Sequence, residues 1–252
     1  MIVILLTGCI HTPSRLRGED IRLWKNTPAW ELAKAVRNRD TIQIKKILSK
    51  DKISIDYREP TYGQSLLHWA VWHNEASMIE FLLKQGADIN LRDYWSSDSP
   101  LILACRYSEI DAKIVRILLD NGASPNDLPS EYDSVYEGRM RTNYTPLLEA
   151  AHSSLEKTKM LIEAGADPYY CCKPGNNALN EASHHFEIAE YLLIECNIDP
   201  NQSYTVTIHG DTLRFRDLLA LFPEHRISDE MQVYLERIYQ YLDECEKNHT
   251  NK

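Results

Sequence analysis

The sequence predicts an all-α solenoid of about four full repeats, with a capping unit at each end and hairpin loops along one side. Three observations predict it. A six-residue segment recurs as Ser65-Leu66-Leu67-His68-Trp69-Ala70, Ser99-Pro100-Leu101-Ile102-Leu103-Ala104, Thr145-Pro146-Leu147-Leu148-Glu149-Ala150 and Asn177-Ala178-Leu179-Asn180-Glu181-Ala182. About twenty residues after each stands a second landmark: Gly86-Ala87-Asp88-Ile89-Asn90, Gly122-Ala123-Ser124-Pro125-Asn126, Gly165-Ala166-Asp167-Pro168-Tyr169 and the degenerate Asn197-Ile198-Asp199-Pro200-Asn201. Between the landmarks run apolar residues at helical spacing, such as Ile79, Leu82 and Leu83, or Ile114, Ile117, Leu118 and Leu119, or Ile188, Leu192 and Leu193.

Each landmark has a physical reading. Ser or Thr followed by Pro and Leu supplies an N-cap, a first-turn proline and the first buried side chain of an inner helix. The apolar pairs that follow form the buried stripe of an outer helix. Gly86, Gly122 and Gly165 stand where that helix must stop, a place that favours a left-handed backbone. Upstream, Trp30-Glu31-Leu32-Ala33-Lys34-Ala35 with Ile44, Ile47 and Leu48 reads as an N-terminal capping unit that has lost its glycine. Downstream, Thr212 to Phe222 and Ser228 to Cys245 give two more helical patterns, read as a C-terminal cap.

The period is near the ~33 residues of one repeat class, and the six-residue segment is a variant of T-P-L-H-x-A. From about Pro28 to about Glu244 the chain resembles the ankyrin-repeat family, and small bacterial members in particular. The expected organisation is a signal or lipobox segment and linker over 1–27 and a repeat domain over 28–245. Its units are 28–61 (cap), 62–96, 97–142 carrying an inserted loop at 127–143, then 143–174, 175–208 and 209–245 (C-terminal cap), before a polar tail at 246–252.

The net charge of −9 on 252 residues and the absence of a Lys/Arg block argue against a nucleic-acid or anionic-membrane partner. The six cysteines, at 9, 105, 171, 172, 196 and 245, show neither a disulfide framework nor paired CxxC zinc spacing. Cys105 and Cys196 lie in apolar helical stretches and read as small buried hydrophobes. At the amino terminus, Leu6-Thr7-Gly8-Cys9 follows an apolar run and resembles a bacterial lipobox, which implies cleavage before Cys9, lipid attachment there and an envelope location on the periplasmic side. No Lys or Arg precedes that run, and it is shorter than an ordinary signal core of 7–15 apolar residues. A frayed hydrophobic terminus on a cytoplasmic protein is the other reading.

The resemblance implies partner contacts at the two variable positions after each six-residue segment. These are Arg37 and Asn38, Trp72 and His73, Arg106 and Tyr107, His152 and Ser153, and His184 and His185. Trp, Tyr and Arg are enriched at interface hot spots, whereas a solvated face shows Lys, Glu, Asp or Ser. Tyr94 and Trp95 join them from a hairpin rich in aromatics, and Tyr132, Tyr136, Arg139 and Arg141 from the inserted loop. The motif histidine, His68, is expected to tie adjacent hairpins together. His152 and the His184-His185 pair are expected to approach across neighbouring inner helices.

No phosphate loop, Ser-His-Asp signature or nucleotide fingerprint is present, and no cofactor, metal or catalytic residue is expected. The function expected is therefore that of a monomeric protein-binding module acting through its concave face and hairpin loops. A regulatory or accessory subunit of an envelope enzyme, a toxin-neutralising partner and a structural envelope protein are the alternatives.

Overall fold

The computed structural model describes residues 18–50, 53–129, 143–172, 177–202, 204–206 and 212–250. Cys9 and the insertion residues Tyr132, Tyr136, Arg139 and Arg141 lie outside them. Helices alternate between an inner and an outer row. The inner row is α1 (Trp30–Arg37), α3 (Leu66–Trp72), α5 (Pro100–Arg106), α7 (Pro146–Ala151) and α9 (Ala178–Glu181). The outer row is α2 (Thr41–Lys50), α4 (Ala76–Lys84), α6 (Ala112–Asp120), α8 (Leu155–Glu163) and α10 (Phe186–Glu190). A short antiparallel pair, β1 (Tyr204–Val206) and β2 (Thr212–Arg214), leads into α11 (Phe215–Ala220) and the long α12 (Asp229–Thr250). Inner helices α3, α5, α7 and α9 pack side by side, outer helices α4, α6 and α8 form a second row, and α12 closes the stack against α10.

The repeat is built by local hydrogen bonds as well as by apolar burial. Ser65, Ser99, Thr145 and Asn177 each accept from the backbone N–H three residues on, capping α3, α5, α7 and α9. Such a cap contributes about 1 kcal/mol. At the other end of the helix pair, Gly86, Gly122 and Gly165 have φ of 91°, 96° and 89°, and Asn197 stands in for glycine at 53°. The reversal lets the next amide reach back into the last turn: Ala87 N donates to Leu82 O at 3.0 Å, Ala123 to Leu118 at 3.0 Å, Ala166 to Leu161 at 2.9 Å and Ile198 to Leu192 at 3.2 Å. A polar side chain then turns the chain. Ser54, Asp88, Ser124, Asp167 and Asp199 accept from the amide two residues later.

Side chains also stitch one repeat to the next. The Asn74 amide donates to Glu109 O at 3.1 Å and accepts from Asp111 N at 2.7 Å. Asn126 does the same to Gly165 O and Asp167 N, at 2.9 and 2.7 Å. His68 is fully buried, with Nδ1 2.9 Å from Ser65 Oγ and Nε2 3.1 Å from the Asp98 carbonyl, so the motif histidine ties its own helix cap to the next hairpin. Burial holds its pKa below the ordinary range, so the ring works as a neutral hydrogen-bonding element.

Three features depart from the sequence reading. Thr212–Arg214 was expected to begin a helix but is a strand paired with Tyr204–Val206, so the helix starts only at Phe215. Its β-branched and alternating neighbours suit a ladder, and Asp217 caps the helix by accepting from Arg214 N at 2.8 Å. The segment expected as linker before residue 28 contributes Trp24, which is fully buried beneath an Asp20-capped 3-10 turn at Ile21–Trp24. The fourth repeat is irregular. Its inner helix shortens to Ala178–Glu181 followed by a 3-10 turn at Ala182–His184, and its outer helix passes from Phe186–Glu190 into a π turn at Tyr191–Glu195.

Two glycines with positive φ separate backbone cost from packing cost. Gly122 has open space where a Cβ would stand, so Gly122→Ala should cost about 1–2 kcal/mol, from left-handed backbone strain alone. A Cβ at Gly63, φ 72°, would lie 2.2 Å from the Tyr94 ring and 2.7 Å from Tyr94 N. Urea denaturation of the two variants should therefore rank Gly63→Ala as clearly the more destabilised.

Candidate partner-binding surface

Two groups of side chains are presented by this frame, one on the hairpins and one at the C-terminal ends of the inner helices. On the hairpins, buried carboxylates fold the loop from within. Glu59 accepts from the amides of Thr61 and Tyr62, both at 2.6 Å, and of Gln64 at 3.1 Å. Asp93 accepts from Trp95 N at 2.9 Å and Ser96 N at 2.7 Å. Adjacent hairpins then join by Tyr94 N donating to Tyr62 O at 2.7 Å. This sets Tyr62 edge-on to Trp95, with ring centroids 5.5 Å apart, and Arg58 over the exposed Tyr94 ring at 4.8 Å. The ladder leaves Gly63 as the only residue type that fits beneath Tyr94.

At the helix ends, Trp72 and Tyr107 from consecutive repeats meet with centroids 4.4 Å apart and planes at 52°. Both are half-buried, each with one side against the core. His73 is exposed and sets its ring 4.2 Å from Trp69. Arg37 and Asn38 are exposed at the end of α1, on the N-terminal side of this strip. On the C-terminal side His152 meets His185 at 5.9 Å, and His184 lies 5.5 Å from Phe222. Ser153 is half-buried, and its Oγ has no hydrogen-bond partner among the described residues. The expected approach of His152 to the paired histidines is present.

Arg106 is a correction. The register places it on the contact strip, but its side chain is only 16% exposed and its guanidinium is engaged inside the protein. One arm pairs with Asp98, and Nε and the other arm lie 3.1 and 3.0 Å from Glu149 Oε1. Both carboxylates are 1% exposed, so the guanidinium is the countercharge that allows them to be buried. Burial pushes the Asp98 carboxyl up to about 7, against the pull of Arg106. The sequence held one signal for this triad: Glu149 sits within a buried helical segment, where a carboxylate requires a partner. Glu181, at the same motif position one repeat on, meets the requirement differently and accepts from the Tyr144 hydroxyl.

Lys157 was not anticipated. It is 2% exposed on α8, and its ammonium donates to the carbonyls of Ala104 at 2.8 Å and Tyr107 at 2.7 Å. These are carbonyls at the end of α5 that lack intrahelical partners, and a cation is favoured there by the helix dipole. Lys157 thereby holds the backbone that carries Tyr107. Cys105 and Cys172 are buried, and Cys171 is exposed. Among the described residues no group of three or more His, Cys, Asp or Glu side chains is placed to hold a metal ion.

Removing the Arg106 charge should leave two buried carboxylates uncompensated, and Arg106→Gln is expected to cost about 3–5 kcal/mol at pH 7. The raised Asp98 pKa means that the folded chain binds this proton more readily than the unfolded chain. That group's contribution to stability therefore falls as pH rises from about 4 to about 7. Urea midpoints for the variant and the wild type should accordingly draw apart as pH rises from 7 to 9, where Asp98 is ionised beside Arg106 in the wild type but holds its proton in the variant; a constant gap over that range would show that Arg106 does not govern the Asp98 proton.

Comparison with known proteins agrees with the geometry. The ankyrin repeat family model matches residues 62–94 and 97–128. The chain is 32% identical over 137 residues to Ankyrin repeat and SOCS box protein 6 of Pongo abelii, an overlap of 52% of this chain and 30% of that protein. It is 44% identical over 102 residues to a putative ankyrin repeat protein of Acanthamoeba polyphaga mimivirus, covering 40% of this chain and 13% of the relative. With Protein phosphatase 1 regulatory subunit 27 of Mus musculus it shares 32% identity over 100 residues, 38% of this chain and 64% of the relative. The chain thus spans under a third of the length of the first two relatives. The chain thus carries ankyrin repeats at residues 62–94 and 97–128, and the same caps and paired helices recur in the helix pairs that follow.

Proposed function

We propose that this chain binds a protein partner through the inner-helix ends and hairpins of its first three helix pairs, with Trp72 and Tyr107 at the centre of the contact. The observation that carries the reading is the Trp72–Tyr107 pair. Two large rings from consecutive repeats stand 4.4 Å apart and half-buried on a rigid frame, beside an arginine whose charge is consumed internally. Rings held in place lose little freedom on binding, and Trp and Tyr are among the residues that dominate interface energetics. Tyr62, Trp95, Tyr94 and Arg58 extend the surface onto the hairpins. The similarity to adaptor and regulatory-subunit proteins supports the class of function without naming a partner.

The likeness to a phosphatase regulatory subunit favours one narrower reading, in which the partner is an enzyme and this chain a non-catalytic subunit of it. Lipid attachment at Cys9 and an envelope location are a separate proposal, carried by the Leu6-Thr7-Gly8-Cys9 resemblance. Among the described residues no helix is long and apolar enough to cross a membrane.

The test is affinity capture with the full chain and its Trp72→Ala/Tyr107→Ala variant, quantified by mass spectrometry, with thermal unfolding of both. A hot-spot pair should cost at least about 2 kcal/mol, or roughly 30-fold in affinity, while the variant remains folded. Equal capture by two folded proteins would remove these rings from the contact.

A further inference from the structure

We propose that the junction between the third and fourth repeats is a proton-sensitive joint, which loosens when the His152, His184 and His185 cluster takes up more than one proton. His152 ends α7, His184 and His185 end the inner segment of the next repeat, and stacking of the two repeats brings the His152 and His185 rings within 5.9 Å.

The surroundings allow one charge and oppose the next. His152 Nδ1 lies 3.6 Å from Glu181 Oε2, and that carboxylate is 8% exposed. Among the described residues His185 forms no such ion pair. The ring is half-buried beside His152 and feels the charge of His184, and the carboxylate acting on it is Glu187 on α10. The other charged groups nearby are already committed. Glu149 on α7 is held by Arg106, Arg216 on α11 by Asp243 and Glu246, and Asp217 by the Arg214 amide. Burial and the two neighbouring imidazoles hold the His185 pKa below the ordinary value of 6.5, so the folded chain binds this proton less readily than the unfolded chain. Its contribution to stability is present above pH 6.5 and is lost as pH falls.

The loss should be local because the fourth repeat is the irregular one. Its inner helix has four α-helical residues before the 3-10 turn that carries His184, and its outer helix has five before the π turn. His184 rests on Phe222, which also lies 5.2 Å from Phe186 on α10, so the fourth repeat is coupled to the C-terminal unit through two ring contacts, one of them from the cluster. A regular repeat has more helical hydrogen bonds to lose before it opens.

Hydrogen exchange of the full chain, compared at pH 7.5 and 5.5 after correction for intrinsic rates, tests the proposal. Amides of residues 177–195 should lose protection at least about tenfold more than those of residues 66–84, and His152→Asn/His185→Asn should abolish the difference. An equal loss in both regions, no loss, or the same loss in the variant would overturn it. Proton NMR titration of the wild-type histidines gives a second readout that does not depend on the double variant folding. His185 should titrate below 6.5 and move upward in His152→Asn; a midpoint at or above 6.5, or one indifferent to that substitution, would also overturn it.

Discussion

A helix pair with inner and outer helices of four to ten residues cannot bury an apolar stripe against itself, and the stacking of this chain follows from that constraint. Each pair covers its neighbour, so α3, α5 and α7 touch in one row and α4, α6 and α8 in another. Helices this short also carry a large share of unpaired terminal amides and carbonyls, because four of each are orphaned per helix. The repeated caps, the left-handed glycines and the Asp or Ser turns after them answer this second requirement. So does the buried Lys157 at the end of α5.

The polar interior follows the same logic of coupling one repeat to the next. His68 joins its own cap to the Asp98 carbonyl, Arg106 joins Asp98 on one hairpin to Glu149 on the next inner helix, and Asn74 and Asn126 each bridge to the following repeat. Apolar stacking alone tolerates small slips between layers. Directional bonds do not, and a buried charge left without its partner costs several kcal/mol. The polar groups thereby select one stacking register, while the aliphatic side chains supply most of the favourable burial.

The architecture was legible because its determinants are local and repeated. Cap, proline, apolar pair and glycine each act within a few residues, and their recurrence identifies them. What was not legible depends on neighbours that lie some forty to fifty residues away. The pairing of Arg106 with Glu149 spans 43 residues and that of Lys157 with Ala104 spans 53, and no spacing rule connects them. Thr212–Arg214 was misread as helix because a two-stranded pairing with Tyr204–Val206 overrides a weak apolar period. The contact strip was only half legible for the same reason: register finds which residues reach the inner-helix ends, but the fate of Arg106 depends on two carboxylates elsewhere.

That fate shapes the chemistry of the surface. With Arg106 satisfied internally, the central part of the strip consists of Trp72, His73 and Tyr107, and on the hairpins Arg58 covers Tyr94. A surface of this kind does not attract partners by long-range charge, although the chain as a whole carries −9. Selectivity must then arise from shape, ring stacking and the few hydrogen-bonding edges available. The Trp72–Tyr107 contact spans two repeats, so its geometry is set by the stacking register rather than by either helix alone. The buried ion triad, which fixes that register between α5 and α7, is in this sense part of the recognition surface without being exposed on it.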